Sequence, residues 1–76
     1  MPYIQIKAYP KDEQTKNRVA ERINQVFLEE WGCPQEAISL SFEEVSPADW
    51  EQTVKVPEID ANADKMAILH GEKRYK

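Results

Sequence analysis

A chain of 76 residues forms at most one small domain, and a domain of that size leaves much apolar surface for a partner to cover. One cysteine, Cys33, and one histidine, His70, permit no internal disulfide and show no zinc-ligand spacing, so we expect no metal. The net charge of −4 disfavours a nucleic-acid partner, and the chain has no apolar run long enough for a membrane span. We therefore expect a single cytoplasmic domain over residues 1–76 that forms a homo-oligomer.

The first third of the sequence predicts a strand followed by a helix. Tyr3 to Ala8 alternates apolar and polar residues, which is typical of a half-buried strand. Asp12 suits a helix N-cap, and Gly32 suits the residue that ends a helix. Between them, apolar residues recur at steps of three and four and form one stripe: Val19, Ile23, Val26, Phe27 and Trp31.

A second strand follows the helix, because Ile38, Leu40 and Phe42 alternate with polar residues. Strand, helix and strand predict a β-α-β unit with parallel strands and a right-handed connection. The expected fold class is therefore α+β, with a β-α-β subunit, a short C-terminal helix and a tail. Two strands leave open sheet edges, so we expect the sheets to pack together in the oligomer.

The C-terminal part carries weaker signals. Ser46 before Pro47 is typical of an N-cap followed by proline in the first helical turn, and it predicts a turn or short helix. Apolar residues between 63 and 69 have a spacing that predicts a further helix, which Gly71 would end. Residues 73–76 are predicted to form a short strand or a frayed end.

Pro2, directly before the first strand, is the candidate catalytic residue. Methionine aminopeptidases act before small residues, so removal of Met1 would leave a secondary amine at the strand end. A free α-amino group titrates at about pH 8, and an apolar pocket lowers that pKa because it disfavours the charged form. Such an amine accepts a proton at one substrate atom and returns it at another, as keto–enol tautomerisation requires. With Met1 retained the nitrogen is an amide, and Pro2 only stiffens the strand start.

Four segments, taken in order, resemble one known family. The opening MPYIQIKAYPKDEQTKNRVAERI combines Met-Pro, a short apolar strand and an Asp-Glu-Gln helix start, and AISLSFEEV ends in an acidic residue before an aliphatic one. These are similar to the start and second strand of the 4-oxalocrotonate tautomerase family. The segments SPADWEQTVKVPEI and HGEKRYK resemble its longer, phenylpyruvate-type subgroup.

The resemblance implies a cofactor-free isomerase with Pro2 as the catalytic base and a small 2-oxo or enol acid as substrate. It also implies a homodimer, since the longer subgroup is dimeric. Trp50 matches a position where the family supplies an apolar pocket wall, which would help to keep the prolyl amine unprotonated. A tryptophan in the core or at the dimer interface is the alternative interpretation of Trp50.

Two positions depart from the family pattern. Members that act on dicarboxylates hold the substrate with two arginines, and those positions fall at Pro10, with Lys11 adjacent, and at Ser39. The serine donates a hydrogen bond without supplying charge, and Lys11 is a candidate substrate ligand or a solvated lysine. The resemblance therefore favours a mono-acid with an aromatic group, such as phenylpyruvate, over a dicarboxylate.

Two other functions remain open at this point. The absence of both arginines fits a non-catalytic dimeric binding module on the same scaffold, in which Pro2 would be dispensable. A ferredoxin-like small-molecule binding domain is the third interpretation, and it requires a sheet of four strands instead of the two that the sequence predicts.

Overall fold

The computed structural model describes residues 1–75, which fall into two compact units, residues 1–45 and residues 46–75. Helices and strands both contribute, which confirms the predicted α+β class, whereas the single domain over residues 1–76 stays a prediction. The first unit contains strand β1 (Tyr3–Ala8), helix α1 (Glu13–Val26) with a π-helical continuation (Phe27–Trp31), a 3-10 turn (Gln35–Ala37) and strand β2 (Ser39–Glu44). The second unit begins with helix α2 (Pro47–Trp50), which continues as a π-helix (Glu51–Ile59) and then as a 3-10 helix (Asp60–Lys65). It ends with two short strands, β3 (Ile68–Leu69) and β4 (Glu72–Lys73).

Strands β1 and β2 pair in parallel, in a register that runs from Tyr3 opposite Ser39 to Ala8 opposite Glu44. The N–H of Val45 extends this ladder by donating to the carbonyl of Ala8 at 2.9 Å. Apolar Ile4 and Ile6 are half-buried while Tyr3 and Gln5 are exposed, as the alternation predicts. The predicted β-α-β arrangement with parallel strands is confirmed.

Helix α1 begins, and its π-helical continuation ends, where the sequence predicts. The carboxylate of Asp12 accepts hydrogen bonds from the backbone N–H of Thr15 at 3.0 Å and from its hydroxyl at 2.7 Å. After Val26 the turns widen, and the N–H of Gly32 donates to the carbonyl of Phe27 at 3.0 Å. Gly32 has φ of 77°, in the left-handed region that a glycine adopts without a steric penalty and that commonly ends helices.

The apolar stripe of α1 is only partly covered. Ile23 and Phe27 are half-buried, but Val26 is 53% exposed and Trp31 is 72% exposed. A sheet of two strands offers little surface for a helix to pack on, since sheets usually have four to six strands. Apolar surface on this helix is therefore left for a partner to cover.

The second unit begins with a capped helix. The Ser46 hydroxyl accepts a hydrogen bond from the N–H of Asp49 at 3.3 Å, as the Ser-Pro pair predicts. Beyond Trp50 the helix continues with wide turns through Pro57, and Val54 within it is 3% exposed. Proline lacks an N–H and clashes with the carbonyl four residues earlier in a regular α-helix, so wide turns at Pro57 fit its geometry.

The helix predicted between residues 63 and 69 is wrong beyond Lys65. Helical structure ends at Lys65, and β3 and β4 form an antiparallel hairpin instead. The two residues between these strands, His70 and Gly71, have φ of 49° and 86°, as in the two-residue turns that match the twist of a hairpin. Of the short strand or frayed end predicted over residues 73–76, only Lys73 lies in a strand, as the last residue of β4. Arg74 and Tyr75 lie outside the strands, and Lys76 lies outside the described residues.

The strands of residues 1–75 form two separate two-stranded sheets, β1 with β2 and β3 with β4. This arrangement does not match the four-stranded sheet that a ferredoxin-like domain requires. Over the same residues, every helix is too short or too polar to cross a membrane.

Candidate active site

Pro2 lies at the N-terminal end of the parallel sheet. It is half-buried, and its carbonyl accepts a hydrogen bond from the backbone N–H of Ser39 at 3.1 Å. Met1, in contrast, is 97% exposed. Removal of Met1 would thus expose the Pro2 nitrogen at the N-terminal end of the sheet, while the Pro2 carbonyl stays hydrogen-bonded to β2.

The other predicted site residues lie in different places. Ser39 is exposed and adjoins Pro2, because it pairs with Tyr3 in the ladder. Lys11 follows the opposite end of β1, a strand of six residues and therefore about 20 Å long, so one chain does not bring Lys11 to Pro2. Trp50 is the half-buried last residue of α2, in the second unit.

An open apolar cleft of about 380 Å³ lies beside the N-terminal half of β1. Ile4 contributes from the strand, and the C-terminal half of α1 and its continuation contribute the rest. Apart from Arg22, every lining side chain is apolar: Ile4, Ile23, Val26 and Phe27. An apolar surface this close to the Pro2 end can hold an apolar part of a small molecule.

A second cleft, of about 200 Å³, lies at the opposite end of the same sheet. Ile6, Phe42 and Val19 are among its apolar lining residues, and Lys16 and Glu44 are among its charged ones. Glu44 Oε2 accepts a hydrogen bond from the backbone N–H of Lys11 at 3.0 Å and lies 3.1 Å from Nζ of Lys16. These bonds tie the loop after β1 and the first turns of α1 to the end of β2.

The contacts of Glu44 shift the titration of both partners. The hydrogen bond from the Lys11 backbone N–H, followed by the Lys16 ammonium, lowers the pKa of Glu44 below its usual value of 4.5. The hydrogen bond to Glu44 likewise raises the pKa of Lys16 above its usual value. The charged pair is the favoured state in the folded chain.

Glu44→Gln is expected to change the acid sensitivity of the fold. Because folding lowers the pKa of Glu44, its carboxylate adds stability above about pH 4.5 and loses that contribution as the pH falls through the folded pKa. The variant should have a lower melting temperature than the wild type at neutral pH, and the difference should shrink below about pH 4.5. Thermal melts between pH 3 and 7 measure this, with exposed Glu36→Gln as the matched control. An unchanged difference across that range would contradict the assignment.

Sequence reasoning missed two residues of these clefts, Glu44 and Arg22. Glu44 ends β2 beside the end of β1, and its alignment with Ala8 follows once parallel pairing and register are known. Arg22 directly precedes Ile23 of the apolar stripe, which is the one signal in the sequence for its place beside the cleft. Within residues 1–75 no three His, Cys, Asp or Glu side chains are grouped to hold a metal ion.

Comparison with known proteins identifies the class of protein to which this β-α-β fold belongs. A family model described as tautomerase enzyme matches residues 2–59. The chain belongs to the tautomerase family. It is accordingly an isomerase that interconverts tautomers of small molecules.

Several similar proteins carry one name. Tautomerase PptA of Pectobacterium atrosepticum is 32% identical over 73 residues, which cover 93% of this chain and 96% of the relative. Tautomerase PptA of Pectobacterium carotovorum is 30% identical over the same shares of both chains. Tautomerase PptA of Escherichia coli O127:H6 is 34% identical over 53 residues, or 67% of this chain and 71% of the relative.

Proposed function

We propose that this chain is a cytoplasmic, cofactor-free keto–enol tautomerase whose general base is the amine of Pro2 after removal of Met1. Its proposed substrate is a small 2-oxo or enol acid with an aromatic group, such as phenylpyruvate. The observation that carries the proposal is the position of Pro2, half-buried at the sheet edge with its carbonyl bound to the Ser39 N–H. The apolar cleft that includes Ile4 supports it, because an apolar neighbourhood favours the neutral amine.

The proposed reaction needs one base. The Pro2 nitrogen takes the proton of the enol hydroxyl, and the electron pair of the O–H bond stays on the oxygen, which leaves an enolate. As this pair forms the second bond of the carbonyl, the electrons of the carbon–carbon double bond take the proton back from Pro2 at the neighbouring carbon. Atoms and charge balance within the substrate, so nothing is oxidised or reduced and the amine is regenerated.

The choice of a mono-acid rests on the two positions that the family resemblance singles out. Pro10 supplies no charge, and Ser39 offers a hydroxyl and no cation. We infer that Ser39 donates a hydrogen bond to the substrate near Pro2. With fewer cations than a site for dicarboxylates, the pocket favours one carboxylate and an apolar group.

We propose a homodimer as the functional state. Trp31, which is 72% exposed, leaves apolar surface on the continuation of α1, and a two-stranded sheet is only marginally stable alone. Since Lys11 lies about 20 Å from Pro2 along β1, any contact of Lys11 with substrate would be at the Pro2 site of the partner. On the family resemblance alone, Trp50 is proposed as an apolar wall of a substrate pocket.

The first experiment joins an intact-mass measurement to an activity assay on the same sample. Mass spectrometry shows whether Met1 has been removed, and ultraviolet absorbance follows conversion of enol phenylpyruvate to its keto form. We expect a mass lower by one methionine residue and a rate well above the uncatalysed conversion. A processed chain that is inert on phenylpyruvate and related 2-oxo acids would contradict the proposal.

A further inference from the structure

We propose that Arg22 binds the carboxylate of the substrate while the apolar group of the substrate occupies the cleft lined by Ile4, Ile23, Val26 and Phe27. The inference rests on the proposed role of Pro2, because it places the substrate next to that residue. It assigns the carboxylate-binding role to a helix residue.

The topology brings Arg22 to the correct end of the sheet. In a β-α-β unit with parallel strands, the helix runs back along the sheet, so the C-terminal half of α1 lies beside the N-terminal half of β1. Ile4 and Arg22 line the same cleft, which confirms that arrangement. Ile4 follows Pro2 by two residues, or about 7 Å along a strand. A small aromatic acid can span that distance.

The electrostatics also single out Arg22. Lys16 of the same helix is paired with Glu44 at 3.1 Å, and Nη2 of Arg18 donates to the hydroxyl of Thr15 at 3.1 Å. Over residues 1–75, Arg22 has neither an ion pair nor a hydrogen bond from its side chain. Its guanidinium therefore adjoins an apolar surface with its donors available, and a carboxylate is the group that these donors bind best, in a two-bond geometry.

The cleft and the cation together define a ligand class. An apolar surface of about 380 Å³ with one cationic residue in its lining complements a molecule with an apolar body and one carboxylate. A dicarboxylate would leave its second charge on apolar side chains, at a cost in desolvation. In this arrangement Arg22 supplies the positive charge that Pro10 and Ser39 lack.

Binding of an unreactive acid tests the site without relying on catalysis. Isothermal titration calorimetry with 3-phenylpropanoate should give a dissociation constant about 10- to 100-fold weaker for Arg22→Gln than for the wild type. Its neutral analogue, 3-phenylpropanamide, should bind both proteins equally. Arg18→Gln, one turn earlier on α1 and outside the cleft, should bind the acid like the wild type. Equal affinity of wild type and Arg22→Gln for the acid would overturn the proposal.

Kinetics separate this inference from the proposed base. In an active wild type, Arg22→Gln should raise KM for phenylpyruvate about 10- to 100-fold with kcat changed less than about threefold, because Arg22 binds ground state and transition state alike. If the processed chain is inert but binds 3-phenylpropanoate through Arg22, the proposed base is wrong and the carboxylate site stands. If Arg22→Gln instead splits the oligomer in size-exclusion chromatography, Arg22 pairs with a second copy, and the carboxylate site is overturned.

Discussion

Pro2→Ala should lower kcat/KM for the enol-to-keto conversion of phenylpyruvate by about 100-fold or more, the contribution expected of a positioned general base. After processing, the variant keeps a primary amine, but no ring fixes the torsion about its N–Cα bond or restricts its movement. An amine that is not held in the reactive geometry loses the advantage of proximity to the substrate. The ultraviolet assay measures the loss, and circular dichroism shows whether the fold is kept.

Pro34→Ala is the matched control for that experiment, because Pro34 is an exposed proline that lies outside the strands and directly before the 3-10 turn. It should retain wild-type kcat/KM. The wild type should also lose activity as the pH falls, since a protonated amine cannot accept a proton. A Pro2→Ala variant as active as the Pro34→Ala control would show that another group is the base.

Val54→Asp should have the largest effect on stability. Val54 is 3% exposed within the helical part of the second unit, so the variant would bury a carboxylate among groups that fit the isopropyl side chain of valine. The cost is several kcal/mol for a buried charge, about 3–5. A chain of this length is stabilised by only about 4–11 kcal/mol in total. Because the substitution removes roughly a quarter or more of that total, urea unfolding followed by circular dichroism should show a midpoint well below that of the wild type.

The same substitution two residues away provides the control. Val56 belongs to the same helical segment but is 53% exposed, so Val56→Asp should change the free energy of unfolding by no more than about 0.5 kcal/mol. If both variants unfold alike, burial within the chain is not the cause of the effect at Val54. In that case a second copy of the chain covers Val56, and the helix is part of an interface.

Local chemistry explains which elements the sequence predicts well. Asp12 and Ser46 form side-chain caps at the first residues of α1 and α2, and Gly32 ends the helix in the left-handed region. Each signal depends on a few neighbouring residues, and it acts in the same way in any fold. The period-two pattern of Tyr3 to Ala8 is equally local, and the strand has these bounds.

The C-terminal hairpin shows where such signals become ambiguous. Ala63, Met66 and Leu69 fit the spacing of a helix, and a glycine two residues later is typical of a helix end. The same glycine also suits a two-residue hairpin turn, where His70 and Gly71 both need positive φ. Apolar spacing over so few residues does not distinguish a helix from a hairpin. The structure has the hairpin, in which β3 pairs with β4.

The candidate site is only partly readable in the sequence. Pro2 stands out by its position in the sequence. Arg22 looks like an ordinary exposed helix residue, and only the packing of α1 against β1 shows that it lines a cleft with Ile4. Ser39 adjoins Pro2 only because the parallel register sets Ser39 opposite Tyr3. Register and helix placement depend on long-range packing, which local patterns do not specify.

The hydrogen bond from the Ser39 N–H to the Pro2 carbonyl also restricts the movement of the proposed base. A terminal residue ordinarily moves freely, and an enzyme that uses one must restrict it before each turnover. Here the ring fixes one backbone torsion, and β2 fixes the carbonyl on the other side of the α-carbon. The loss of conformational entropy at the N-terminus therefore occurs once, when the sheet forms, and is not repeated each time a substrate binds.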